Sequence, residues 1–326
     1  MKKDILASVI IPTYKRPDYL KGAILSLYKQ NTSDFEIVAV DNDADPKIEK
    51  LVKSLAKKSN IPTIYVPEPN LGFHLALHAG AKKAKGQLLI FTNDDVTFDK
   101  NYVRAYINAF NKYPEMAAAG APIKLKFEEN PPGWLKDLMG KDKIFTPYSY
   151  MEPYDKFHLS PKGFFFETSM GIRKEILFKL GGFNPELFGD LRVGDGETGL
   201  NRKLWQNRLL IGYIYDAIIY HHTFKSRMTI DYLMARFKGE GSCDIYALLQ
   251  KYYEKDAFNL VSFSFSLLLL NFKAWIGHLF LFGKIKALPL KIKLQTARTL
   301  AQFEYLHRFR TDSKLRNMVL KKNWLS

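Results

Sequence analysis

Asn93-Asp94-Asp95 closes an apolar run at residues 87–92. Carboxylate and amide oxygens stranded at the end of such a run are the hard ligands that Mg²⁺ or Mn²⁺ binds. A cation held there neutralises a departing diphosphate, so the chemistry it suits is cleavage of a sugar nucleotide at its anomeric carbon. The same residues also suit a turn or a helix N-cap, since Asp and Asn favour both and a helix is expected from about residue 99. Asp41 stands one residue past Val40 and is followed by Asn42, Asp43 and Asp45. Its carboxylate can accept a hydrogen bond from a base or ribose, or close a turn.

The elements that must position these groups alternate. Residues 6–11 are a buried-strand pattern ended by Pro12, and Leu20, Ile24 and Leu27 then repeat at helical spacing. Strands at 35–40, 63–66 and 87–92 alternate with helices around 48–55 and 71–85. This pattern predicts an α/β fold with a doubly wound, mostly parallel sheet, in which ligands bind beyond the carboxyl ends of the strands. Thr13-Tyr14-Lys15-Arg16, Asp41-Asn42-Asp43 and Asn93-Asp94-Asp95 all fall on that rim. Residues 122–166 hold six prolines and many aromatic residues without a clear period, and read as a long loop over the site. Trp134 in that loop is a candidate to stack on an acceptor sugar, or simply to pack. Residues 171–180 and 198–207 read as helices, and 211–220 as a last strand.

Ser8-Val9-Ile10-Ile11-Pro12-Thr13-Tyr14-Lys15-Arg16, Val40-Asp41-Asn42, Asn70-Leu71-Gly72 and Thr92-Asn93-Asp94-Asp95-Val96 resemble the ordered signatures of family 2 glycosyltransferases. Gly181-Gly182-Phe183-Asn184 and Gly194-Asp195-Gly196-Glu197 are similar to that family's later blocks. The resemblance implies a Rossmann-like GT-A fold and inverting transfer of a sugar from a UDP-, dTDP- or GDP-sugar, assisted by Mn²⁺ or Mg²⁺. It places Pro12, Thr13, Tyr14 and Arg16 along the nucleotide pocket with Asn70, Gly72, Asn93 and Asp94, and Asp41 at the base. It makes Asp95 a metal ligand, completed by a histidine from His221-His222. Adjacent strand residues face opposite ways, so one of the two is expected to serve, and His221 is preferred. Asn93 replaces the first aspartate of the family's usual Asp-X-Asp, and the usual Glu-Asp pair is spread by Gly196. The general base is therefore Asp195, the preferred residue, or Glu197; both also suit a helix cap. Relatives' Arg-Asn pair is replaced by Leu77-His78, so the donor contact of that arginine is expected to be absent or supplied by Lys82 or Lys83.

The sequence divides at about residue 225 into a catalytic domain, 1–225, and a basic, apolar helical extension, 226–326. The net charge is +16, and from Lys273 onward twelve Lys and Arg stand against two acids. Residues 257–272 carry no charge, and that apolar stretch beside a basic tail fits a helix in an anionic membrane interface, or a hairpin buried on the catalytic domain. The acceptor is then a glycan or lipid-linked glycan; no nucleic-acid partner is expected. One cysteine, Cys243, excludes an internal disulfide, and the first residues lack a signal-peptide core, which together place the protein in the cytoplasm, peripheral to the membrane. A nucleotidyltransferase would carry glycines in the loop after the first strand, which Thr13-Tyr14-Lys15-Arg16 lacks. A non-catalytic binding protein on the same fold is the other alternative.

Overall fold

The computed structural model describes residues 5–139, 148–189, 191–253, 260–277 and 285–325. The amino-terminal half alternates as the pattern requires: β1 (Ala7–Thr13), α1 (Pro17–Leu27), β2 (Phe35–Asp41), α2 (Pro46–Ala56), β3 (Thr63–Pro67), α3 (Phe73–Lys83) and β4 (Leu88–Thr92). Helix starts are written locally. Pro17 and Pro46 supply a preset φ in the first turns of α1 and α2, and Asp45 caps α2 by accepting from the Lys47 amide at 2.8 Å.

Next come β5 (Val96–Phe98), α4 (Tyr102–Lys112), β6 (Met116–Gly120), β7 (Ile123–Phe127), α5 (Gly133–Met139), β8 (His158–Ser160), β9 (Ser169–Arg173) and α6 (Lys174–Lys179). They lead to β10 (Leu187–Phe188), β11 (Leu191–Arg192), α7 (Gly196–Gln206), β12 (Leu210–Tyr213) and β13 (Ile219–Thr223).

The main sheet runs β3-β2-β1-β4-β9-β6-β12-β8. Strands β1 to β4 are mutually parallel, β6 and β12 are parallel, and β9 and β8 run against their neighbours. Both faces are buried, so the strands read as unbroken apolar runs. Val9, Ile11, Ile37, Ala39 and Ile90 pack with α1, α2 and α4, whereas Ile10, Val38, Val40, Leu89 and Phe91 pack with α3, α6 and α7. A three-stranded sheet, β5-β13-β7, stands beside the main one.

Three expectations change. Residues 171–180 are not one helix: β9 supplies a strand before α6, and Gly171 is packed so closely that a Cβ there would come 2.7 Å from the Tyr106 ring. Residues 211–220 split into β12 and β13, which belong to different sheets. The aromatic stretch 122–166 contains β7, α5 and β8; residues 140–147 of it lie outside the described residues. Short elements of this kind hold their place through tertiary packing, which periodicity does not reveal.

Four helices follow: α8 (Ile230–Tyr253), α9 (Leu260–Ile276), α10 (Leu288–Thr311) and α11 (Ser313–Val319). They are joined closely to the rest. The Tyr305 hydroxyl donates to the Val193 carbonyl at 2.5 Å, the Trp324 amide donates to the Gly181 carbonyl at 2.9 Å, and Leu325 enters the core on the α3 side. Arg298 of α10 is bound by Asp244 of α8 through two contacts of 2.8 Å. Of the stretch suited to a membrane interface, residues 257–259 and 278–284, Lys284 among them, lie outside the described residues. Among the described residues no helix is long and apolar enough to cross a membrane.

Candidate active site

Strand register brings the rim residues together. Thr13, the last residue of β1, donates from Oγ1 to Asp94 Oδ2 at 2.7 Å, linking β1 to the loop after β4. In the smaller sheet His221 lies opposite Val96, and the His222 amide donates to the Asp95 carbonyl at 2.8 Å. This pairing sets the buried His221 ring against Asp95, with Nε2 3.3 Å from Oδ1. Alternation sends His222 to the other face, where its ring meets Thr97 Oγ1 at 3.2 Å and Glu128.

Two guanidinium groups cover the acidic pair. Arg16 lies 2.5 Å from Asp94 and 2.9 Å from Asp95, while Arg227 lies 2.6 Å from Asp95 Oδ2 and 3.1 Å from His221 Nε2. Burial pushes the Asp94 carboxyl up to about 6 despite Arg16. Burial pushes at Asp95 too, but His221, Arg227 and Arg16 more than offset it and hold this carboxyl well below the usual range.

A divalent cation fits this pole. Among the described residues Asn93 Oδ1 and Asp95 Oδ1 are buried with no hydrogen-bond partner. A guanidinium only donates, so in the 3.1 Å contact Arg227 donates to His221 Nε2, and that nitrogen lies 3.3 Å from Asp95 Oδ1. Adjacent ligands of an octahedral cation with bonds of about 2.1 Å are separated by roughly 3 Å.

A cavity of about 240 Å³ opens beside this pole and is lined by Arg16, Asn93, His221 and Arg227 on one side. Across it stand His74, Glu167, Glu186 and Glu197, with Arg236 and Tyr232 from α8. His74, Glu167 and Glu197 each bring a ligand atom within 4.8 Å of the others. Burial, then the Glu167 charge, raises Glu197 well above the usual carboxylate range and Glu186 to about 7. Burial also lowers the His74 imidazole.

Gly196 explains the spread of the acidic pair. Its φ is +51°, and a Cβ there would come 2.6 Å from the His74 ring. The glycine turns the chain so that its two neighbours part company. Asp195, just before α7, is fully buried and accepts from Asn184 Nδ2 at 2.9 Å and from Arg202 of α7 at 2.5 Å. Glu197 faces the cavity.

Other expected residues have mixed placements. Asp41 is buried with its carboxylate accepting from the Asp43 and Asp45 amides, at 3.1 and 2.7 Å, and from the Tyr65 hydroxyl at 3.1 Å. Pro12 is a buried member of β1 and Tyr14 is exposed beyond it. Asn70 and Gly72 are held to the end of β2 by Asn42, whose side chain donates to the Asn70 carbonyl and accepts from the Gly72 amide. Trp134 packs with Leu135, Leu138 and Met228 and does not line the cavity. Lys82 and Lys83 line a separate hollow with Trp324, and His78 accepts from the Phe183 amide at 3.0 Å. Burial lowers His78 to about 3, that of an uncharged core histidine.

Sequence reasoning missed His74, Glu167, Glu186, Arg227 and Arg236. Arg227 stood only six residues past His221, and Glu167 just before a strand that was read as part of a helix; neither carries a motif of its own.

This combination of a doubly wound sheet, an acidic loop after β4 and an opposed carboxylate cluster defines a GT-A type glycosyltransferase. The chain belongs to glycosyl transferase family 2, whose profile matches residues 8–181, more than half of its length. It is 22% identical over 204 residues to the succinoglycan biosynthesis protein ExoM of Rhizobium meliloti, covering 59% of this chain and 63% of that protein. It is 22% identical over 305 residues to the uncharacterized glycosyltransferase YfnE of Bacillus subtilis, covering 78% and 76%. Among solved structures it shares the fold of the mannosyltransferase PcManGT from Pyrobaculum calidifontis in complex with GDP-Man and Mn²⁺, with a TM-score of 0.55, 17% identity, and coverage of 98% of this chain and 86% of that one. GalNAc-T7 with UDP, GalNAc and Mn²⁺ aligns with a TM-score of 0.51 and 18% identity over 73% of this chain and 48% of that one.

Proposed function

We propose that this protein transfers a sugar from a UDP-, dTDP- or GDP-sugar to a hydroxyl of a glycan or lipid-linked glycan, with inversion at the anomeric carbon. The observation that carries the reading is the division of one cavity into a pole of Arg16, Asn93, His221 and Arg227 beside the Asp94–Asp95 pair and a carboxylate pole at Glu197. Asp95, His221 and the Asn93 amide oxygen would hold Mn²⁺ or Mg²⁺, which when bound neutralises the departing diphosphate. Solved relatives in fold contain Mn²⁺ beside UDP or GDP-Man, which supports both the cation and the donor class.

Glu197, rather than Asp195, takes the proton from the acceptor hydroxyl in this reading. Asp195 is committed to Asn184 and Arg202, whereas Glu197 faces the cavity and lies within reach of an acceptor hydroxyl bound there. Attack by the acceptor oxygen from that side, opposite the diphosphate, breaks the anomeric bond in a single displacement. His221 serves the cation and His222 does not. Arg16 and Asn93 face the donor; Thr13 and Asp94 hold Arg16 in place.

A lipid-linked acceptor fits the carboxyl-terminal helices, where Phe265, Leu268 and Phe272 of α9 and Leu300 and Phe303 of α10 are exposed among basic residues. The name of the succinoglycan relative supports a polysaccharide pathway. Peripheral attachment to the cytoplasmic face of the membrane follows from this reading.

The test is thermal stabilisation by a panel of nucleotide sugars with and without Mn²⁺, followed by transfer assays on the donor that binds. Metal-dependent stabilisation by one of them is expected; none from any of them would remove the reading. Sedimentation with phosphatidylglycerol vesicles tests the membrane part: retention in the pellet at low salt is expected, and its absence would remove that part alone.

A further inference from the structure

Arg227 occupies the short turn that follows β13, and its side chain leans over the Phe224 ring at 4.5 Å to the centroid. The guanidinium lies 2.6 Å from Asp95 and 3.1 Å from His221, the two residues that would hold the cation. Arg16 differs in one respect: besides Asp95 it holds Asp94 at 2.5 Å, a partner that the cation does not take. Binding of the cation to Asp95 and His221 therefore leaves Arg16 anchored and takes both polar partners from Arg227. The Arg227 backbone stays fixed by the Tyr148 hydroxyl, which donates to its carbonyl at 3.1 Å.

Charge gives the same result. Asp94 and Asp95 are balanced by Arg16 and Arg227, so the pole is neutral while the cation is away. A divalent cation makes it doubly positive beside a cavity that Arg227 already lines. Cation and guanidinium compete for Asp95, yet both attract a diphosphate.

We propose that Arg227 is a charge-exchange residue, paired with Asp95 and His221 and moving to the donor's diphosphate once a divalent cation takes those two. The proposal rests on the glycosyl-transfer reading. As the bond from the anomeric carbon to the phosphate oxygen breaks, its electron pair stays on that oxygen and Arg227 donates to the developing charge. The acceptor oxygen forms the new bond to the anomeric carbon, and its proton passes to the Glu197 carboxylate.

The exchange predicts opposite effects of one substitution on two ligands. In titrations of the full chain, Arg227→Gln binds Mn²⁺ alone more tightly than the unaltered protein, by a few-fold to about ten-fold, because a competing cation has gone from Asp95. With Mn²⁺ saturating, the same variant binds UDP, GDP or dTDP about ten-fold more weakly or worse. Arg227→Lys keeps the charge and holds nucleoside diphosphate within a few-fold of the unaltered protein. A purely structural role would weaken both ligands together, and that result, or unchanged nucleoside diphosphate binding in Arg227→Gln, overturns the proposal. Should the unaltered protein bind none of the three diphosphates with Mn²⁺, the donor reading itself falls, and this inference with it.

Discussion

Asp195→Asn and Glu197→Gln test the proposal that Asp195 is a scaffold carboxylate and Glu197 the general base. Asp195 has no exposed side-chain surface and binds Arg202 at 2.5 Å and Asn184 at 2.9 Å. An asparagine can still accept from Asn184 but presents no charge to Arg202. Removing one partner of a buried ion pair costs about 3–5 kcal/mol. Arg202 keeps 23% of its side chain exposed, so water takes up part of the loss and the lower end, about 3 kcal/mol, is expected. At roughly 2 °C per kcal/mol for a chain of this length, the melting temperature falls by about 6 °C. Glu197 behaves differently: it lines the cavity, and glutamine keeps its volume while removing a charge that burial and Glu167 disfavour. Glu197→Gln should melt within roughly 2 °C of the unaltered protein, yet transfer roughly 10²- to 10⁴-fold more slowly, the usual contribution of a general base. Melting by scanning fluorimetry and release of nucleoside diphosphate in the presence of acceptor measure the two quantities. An Asp195→Asn protein that melts normally but cannot transfer would refute the assignment, as would a Glu197→Gln protein of normal rate.

Stability of the ligand-free protein should depend on pH through two buried groups. Glu186 is raised from 4.5 to about 7, so the folded state holds a proton that the unfolded state has lost; this contribution is fully present below about pH 4.5 and disappears as pH rises through 7. His78, lowered from 6.5 to about 3, acts oppositely, its contribution being present above 6.5 and lost as pH falls toward 3. Melting curves of Glu186→Gln should decline less between pH 5 and 7 than those of the unaltered protein, and equal slopes would refute the assignment. Gly196→Ala should cost about 2–4 kcal/mol, from a left-handed φ and a Cβ 2.6 Å from His74, and a melting temperature unchanged by it would contradict the packing described. Asp95→Asn should abolish the Mn²⁺ requirement together with transfer, and full activity in Mn²⁺ would exclude Asp95 as a ligand.

The amino-terminal strands and helices were legible because both faces of the sheet are covered, which forces unbroken apolar strands between amphipathic helices. The rim was legible for a related reason: polar residues such as Thr13, Asp41 and Asn93 end apolar strands, and a parallel sheet puts those ends side by side. Strand alternation allowed only one of His221 and His222 to face the acidic pair, and the pairing of β13 with β5 decided which. Beyond β5 the elements are short and take their form from what they pack against. That is why β9 was read as helix and one expected strand proved to be two.

Local pattern therefore established the class of fold, the edge of the sheet on which a ligand would sit and one pole of the site. Tertiary structure decided the other pole. Glu167 precedes β9, Glu186 lies before β10, His74 is in α3 and Arg236 in α8, and their meeting around Glu197 depends on long-range packing that no periodicity records. The distinction between Asp195 and Glu197 belongs there too. It rests on Asn184 and on Arg202 of α7, which take one carboxylate, and on a left-handed glycine that turns the other toward the cavity.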